Sequence, residues 1–309
     1  MTRRLTTFVT VIALIFFWSI PVRANQTNNV LQVQYTYQGK THIVQGIKTA
    51  TGYQFNANAE KILTLATLNW PPYIGEGLCN KGWVFQFTVA LLTSRGYQVN
   101  IQFFPWARSV KLVEQGKIDI LFPEYFIESS APSDVIANKK RRELLVLSNK
   151  FPGGEIALLK RKGYQFELKE DLSNLKGRLI GVVRGYQNTP EFDAMMDAKL
   201  FDVIKAVDEL QLMKLLAAKR VDFIIGDPKV FNYSVNYSNL SNANKQALLG
   251  VAEQVQPALK YNHLYFAISN QYSPWRPLLD DINLALIEFQ QSGETQRLIN
   301  TGSGCTFDF

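Results

Sequence analysis

"VDFIIGD", residues 221–227, decides how this chain is read, and its counterpart is "KIDILFPE", residues 117–124. Each is an apolar run suited to a buried strand, and each stops on an acid, Asp227 or Glu124. Met once, Gly-Asp-Pro is ordinary turn chemistry. Here the pattern occurs twice and extends upstream. "KLVEQGKIDILFPE" (111–124) lays over "KLLAAKRVDFIIGD" (214–227) without a gap. In both, an apolar helix face passes through a basic residue into a strand carrying Asp119 or Asp222, which ends on the acid. Further upstream, "ATLNWPPY" (66–73) and "GVVRGYQ" (181–187) each run a strand into a loop with a tyrosine, Tyr73 or Tyr186.

The segments around these two follow the same alternation. "ILTLATL" (62–68) reads as a strand, "VFQFTVALLTSR" (84–95) as a helix ended by Gly96, and "YQVNIQFF" (97–104) as a strand. "WARSVKLVEQG" (106–116) reads as a helix stopped by Gly116. A second run starts at "KGRLIGVVRGYQ" (176–187) and continues through "PEFDAMMDA" (190–198) and "DELQLMKLLAAKR" (208–220). Strand and helix at short spacing predict α/β lobes with largely parallel sheets. Ligands of open α/β sheets sit outside the carboxyl ends of the strands. Two such lobes face to face would aim Glu124 and Asp227 into one cleft. Before them, "VLQVQYTYQGKTHIV" (30–44) alternates around Gln38-Gly39-Lys40 and predicts a β-hairpin in a polar amino-terminal extension, 25–60.

Composition sets the outer bounds. At 309 residues, 47% hydrophobic and 19% charged, the chain is a globular protein long enough for two domains. Arg3 and Arg4, an apolar run too short to span a bilayer (8–20) and Val22-Arg23-Ala24 read as a secretory leader, 1–24, cleaved near Ala24. The mature protein is then expected to be soluble in a periplasm-like compartment. Losing Arg3, Arg4 and Arg23 lowers the net charge from +7 to +4, too mild a balance to imply nucleic acid. Cys79 and Cys305, an even pair in an oxidising compartment, are expected to form a disulfide. With only those cysteines and His42 and His263, neither a zinc site nor a histidine triad is expected, and no cofactor is implied.

At this point the chain resembles a known family, the periplasmic solute-binding proteins of polar-amino-acid ABC transporters (bacterial extracellular solute-binding protein family 3). The resemblance runs from about residue 63 to 299. It is carried by "NWPPYIGE" (69–76), the continuous stretch 82–124, "RRELLVLSNKF" (141–151), "LKGRLIGVVRGY" (175–186), "LLAAKRVDFIIGDPKV" (215–230) and "LALIEFQQSGETQRLI" (284–299). It implies a two-lobe clamshell of type II. Lobe 1 would take 61–152 plus 265–309, and lobe 2 would take 153–264. It also implies a monomer that captures an amino-acid-like small molecule and hands it to an ABC permease in the inner membrane.

Site residues follow from the same resemblance. An arginine seven residues before Ser148, Arg141, would clamp a ligand carboxylate with its planar fork, with Arg142 as its rival because an insertion, "FIESSAPSDVIANK" (126–139), shifts the register. Asp227 would receive the ligand ammonium, and Tyr73 and Trp106 would pack on the ligand. Arg108, Arg184 and Tyr186 lie beside the cleft as further candidates, Glu124 as a second acid, and the helix start near Thr189 as an anion seat. Two other functions fit the same residues. Glu124 and Asp227 could serve as acid and base in a dehydratase-like enzyme, or the 25–60 extension could dock a ligand sensor on a membrane receptor.

Overall fold

A computed structural model describes residues 31–303. The expected leader, 1–24, and Cys305 lie outside the described residues. Leu31–Tyr37 (β1) and Lys40–Lys48 (β2) form the expected hairpin, with Tyr37 opposite Lys40. Its two turn residues, Gln38 and Gly39, have φ of 50° and 73°. A two-residue turn that matches strand twist needs positive φ at both positions, which glycine adopts without strain. Gly52–Phe55 (β3) pairs back on β2.

Lys61–Thr67 (β4), Trp83–Thr93 (α1), Tyr97–Phe103 (β5), Trp106–Glu114 (α2) and Ile120–Glu124 (β6) then alternate, with β4 parallel to both β5 and β6. The hairpin does not stand apart. β3 pairs with β5, so β1–β3 extend this sheet. Their inward side chains explain why. Val33, Tyr35, Tyr53 and Phe55 are buried, and Tyr53 and Phe55 meet Phe85 edge-on at 5.5 and 5.7 Å. Aromatic contacts of this kind fasten an added sheet edge to the existing core.

After Arg141–Leu144 (α3) and Leu145–Leu147 (β7), the long strand Phe151–Arg161 (β8) leads into the second half. That half comprises Leu179–Val183 (β9), Pro190–Asp197 (α4), Asp202–Ala206 (β10), Glu209–Ala217 (α5), Phe223–Gly226 (β11), Pro228–Asn236 (α6), Asn242–Val251 (α7) and Ala252–Gln254 (β12). Lys260–Ser269 (β13) returns, and Trp275–Gln291 (α8) and Glu294–Ser303 (α9) close against α1. The strand order is β1-β2-β3-β5-β4-β6-β13-β8-β11-β9-β10. β8 and β13 are the two crossings between the halves. They pair antiparallel from Lys260 opposite Ile156 to Leu264 opposite Phe151.

The internal duplication is physical. Asp119 Oδ2 accepts from the Thr64 amide at 2.8 Å, and Asp222 Oδ2 accepts from the Leu179 amide at 3.0 Å. Each aspartate ties its own strand to the opening strand of its lobe. At the far margin, β1 has α9 alongside. The Thr36 amide donates to Glu294 Oε1 at 2.9 Å, Arg297 Nη2 donates to the Gln34 carbonyl at 2.8 Å, and Arg297 and Glu294 are paired at 2.6 Å. Among the described residues no helix is long and apolar enough to cross a membrane.

Candidate functional site

The acids that end the two matching strands reach the interface between the halves and find different partners there. Asp227 caps α6, its Oδ1 accepting from the Lys229 amide at 2.7 Å, which turns Oδ2 toward the opposite lobe. Tyr73 meets it, its hydroxyl donating to Oδ2 at 2.6 Å. The loop that carries Tyr73 is pinned by the Trp70 amide, which donates to the Ile74 carbonyl at 2.7 Å. Burial pushes the Asp227 carboxyl above the usual carboxylate range, against the Tyr73 hydrogen bond that lowers it.

Two more hydrogen bonds cross the cleft. Trp70 Nε1 donates to Glu209 Oε1 at 3.1 Å, and Trp106 Nε1 donates to the Gly185 carbonyl at 3.0 Å. Glu209, the first residue of α5, also accepts from the Tyr186 hydroxyl at 2.9 Å. Burial holds its carboxyl up at about 7. The rings form two pairs. Trp70 stacks on Tyr73 at 4.4 Å, and Trp106 meets Tyr186 edge-on at 5.9 Å. Tyr125, next to Glu124, meets Trp70 edge-on at 5.7 Å, and its buried hydroxyl has no hydrogen-bond partner. Trp70, Trp106, Tyr125, Tyr186 and Glu124 line a cavity of about 10 Å³, room for about one water-sized group. A larger ligand has to part the lobes or displace Tyr125.

Glu124 does not face Asp227 across an open pocket. Its Oε2 accepts from Arg141 Nη2 at 2.8 Å, and its Oε1 accepts from the Tyr125 amide at 2.9 Å. Arg141 Nε donates to Glu114 Oε1 at 2.9 Å, and Ser133 holds the other Glu114 oxygen at 2.5 Å. Arg141, Glu114 and Glu124 are all buried and all belong to the first half. Arg141 borders a second cavity of about 110 Å³ between the 128–134 segment and α4.

The remaining sequence-named residues scatter. Arg142 lies over the Phe126 ring at 5.8 Å. Arg108 is exposed over Phe104, and Arg184 is exposed just past β9. Thr189 caps α4, accepting from the Phe192 amide, while Asp193 accepts from the Asn188 amide at 2.8 Å. That helix start is therefore already served by an acid of its own first turn. Gly153 and Gly154 sit inside β8. Trp70, Glu114, Tyr125 and Glu209 had no sequence signal beyond loop, helix or turn chemistry. Glu209 follows the N-cap Asp208 and reads as an ordinary first-turn acid. Among the described residues no group of His, Cys, Asp and Glu is placed to hold a metal ion.

No family model and no curated protein matches the chain. Solved structures do. An ancestral arginine-binding protein bound to arginine superposes with a TM-score of 0.61 at 19% identity, covering 80% of this chain and all of that one. A histidine kinase sensor domain similar to periplasmic binding proteins gives 0.61 at 16% identity, covering 80% of this chain and 98% of that one. An ancestral amino-acid-binding protein described as a precursor of cyclohexadienyl dehydratase gives 0.56 at 18% identity, covering 78% and 95%. The likeness establishes the fold, a two-lobe periplasmic-binding-protein arrangement.

Proposed function

We propose that this protein is a periplasmic receptor that captures a small amine-bearing solute, an amino acid or a relative, between its lobes and delivers it to an ABC-type permease. The observation that carries the reading is the Tyr73–Asp227 hydrogen bond, which joins the lobes through a buried carboxylate. An ammonium is the natural replacement for the tyrosine hydroxyl at Oδ2, so ligand binding and lobe closure would use the same acid. The resemblance of "NWPPYIGE" and "LLAAKRVDFIIGDPKV" to the family 3 motifs, and the arginine-bound neighbour, support the same solute class.

The test is a thermal-shift screen of amino acids and amines on protein freed of carried-over ligand, followed by titration calorimetry. A true ligand at 100 times its dissociation constant adds about 2.7 kcal/mol of stability. Asp227→Asn should then weaken that ligand by about 2–5 kcal/mol, or roughly 30- to 4,000-fold. No stabilisation by any amine, or full affinity in Asp227→Asn, would end the reading.

An enzymatic reading has one observation in its favour, a buried Glu209 near neutrality, suited to moving a proton. Turnover of prephenate-like substrates by the purified protein separates the two.

A further inference from the structure

We propose that the cleft selects organic ammonium ions that carry no carboxylate, in preference to α-amino acids. This rests on the cleft being the ligand site, as argued above. It departs from that reading in the charge it asks of the ligand.

The first observation is the state of Arg141. Its guanidinium is bound by two carboxylates of its own lobe, Glu114 at 2.9 Å and Glu124 at 2.8 Å. The cluster carries a net charge of −1 with both acids ionised, and zero if one holds a proton. In neither condition does it attract an anion. Nε and Nη2 of the fork are taken, and Nη1 is buried without a hydrogen bond. A ligand carboxylate taking Nη1 would enter a buried cluster that already holds two acids for one guanidinium, so its repulsion from Glu114 and Glu124 offsets the gain.

The second observation is the absence of a substitute. The residues lining the aromatic cavity include no lysine or arginine. The adjoining cavity bordered by Arg141 brings Glu128, Asp134, Asp193 and Asp197 against Lys205, so acids outnumber bases there too. Arg108 and Arg184 are exposed.

The third observation is what the cleft does offer. Two buried carboxylates, Asp227 and Glu209, have neutral partners only: tyrosine and tryptophan side chains and backbone amides. Tyr125 adds a buried hydroxyl without a hydrogen bond, close enough to Asp227, Glu209 and Glu124 to feel their charge. Indole and phenol faces on Trp70, Tyr73, Trp106, Tyr125 and Tyr186 surround these acceptors. Aromatic faces and unpaired acids both favour a cation, and neither has anything to give an anion.

The test compares matched pairs that differ only by the carboxylate: agmatine with arginine, and cadaverine with lysine, by titration calorimetry on the mature protein. The expected result is that at least one decarboxylated compound binds 100-fold or more tightly than its amino acid. Equal or tighter binding of the amino acids overturns this proposal and leaves the receptor reading intact. If none of the four binds, this proposal falls, and the wider amine screen decides the receptor reading. Glu124→Gln supplies a second measurement. It removes one negative charge from the Arg141 cluster and should narrow the preference by 10-fold or more. An unchanged ratio in a folded Glu124→Gln protein would also count against the proposal.

Discussion

The Tyr73 hydroxyl and the Asp227 carboxylate meet at 2.6 Å across the cleft, 154 positions apart in the chain, because residue 154 on the crossing strand has no side chain. A Cβ there would lie 2.0 Å from the Tyr73 hydroxyl and 2.1 Å from Asp227 Oδ2. Gly154 is thus the floor on which the two lobes touch. The contact requires close approach, and the glycine's backbone angles are open to other residues.

Gly154→Ala is therefore expected to part Tyr73 from Asp227 without unfolding the protein. Closure should be weakened and ligand affinity should fall by about 10-fold or more, equivalent to about 1.4 kcal/mol. Small-angle scattering with and without ligand, alongside calorimetry, measures this. An unchanged affinity and unchanged compaction in the variant would show that the floor can give way.

Glu209 makes stability depend on pH. Burial raises its carboxyl to about 7 from an ordinary 4.5. Between those values the folded protein keeps a proton that the unfolded chain has released, so stability is full below about 4.5 and declines as pH rises toward 7. For this group alone the decline is up to about 3 kcal/mol. Asp208, Tyr186, Trp70 and Tyr125 are its polar neighbours. Asp193, raised to about 6 by burial, acts in the same direction, so the diagnostic is a difference. Urea unfolding of Glu209→Gln across pH 5 to 8 should give a flatter profile than wild type. Parallel profiles would reject it.

Arg141→Lys should lower stability more than it lowers ligand affinity. A lysine ammonium lacks the fork that reaches Glu114 and Glu124 together, and leaving one buried acid unpaired costs about 3–5 kcal/mol. The urea midpoint reports the loss. A normal midpoint combined with a drop in amino-acid affinity would return Arg141 to the role of carboxylate clamp expected from sequence.

The Cys79–Cys305 bond is a further prediction. Cys79 opens the single turn Cys79–Lys81, and α9 brings the chain to the same place: a Cβ on Gly302 would lie 2.5 Å from Trp83 Cα. Cys305 is three residues beyond. Denatured, unreduced protein should show no free thiol on titration, and reduction should cost about 4–5 kcal/mol in the chain-entropy account. Two titratable thiols would exclude the bond.

Much of the fold was legible because it depends on local chemistry. Alternation in "VLQVQYTYQGKTHIV", glycine stops at Gly96 and Gly116, and the repeated strand ending on an acid all act within a few residues. The same repeat located Asp227 and Glu124, and the "PPY" loop located Tyr73. The sequence did not reveal that the two acids have diverged. Glu124 is tied to Arg141, which lies 17 residues on, beyond the 126–139 insertion. Glu114 sits on a helix whose pattern explains it fully as a helical residue. Trp70 and Glu209 meet over 139 positions, and no periodicity encodes a contact formed only when two lobes come together.

The ion pair beside β1 has a consequence for how molecules of this protein treat one another. An open sheet margin is a template on which a second chain can lay a strand. Here the outward amide of Thr36 and the outward carbonyl of Gln34 are already taken by Glu294 and Arg297. A neighbour would have to break two charge-assisted bonds to begin growing a shared sheet. The last helix thereby guards against fibre-like association at this margin, and neutralising either Glu294 or Arg297 would leave the first strand open to it.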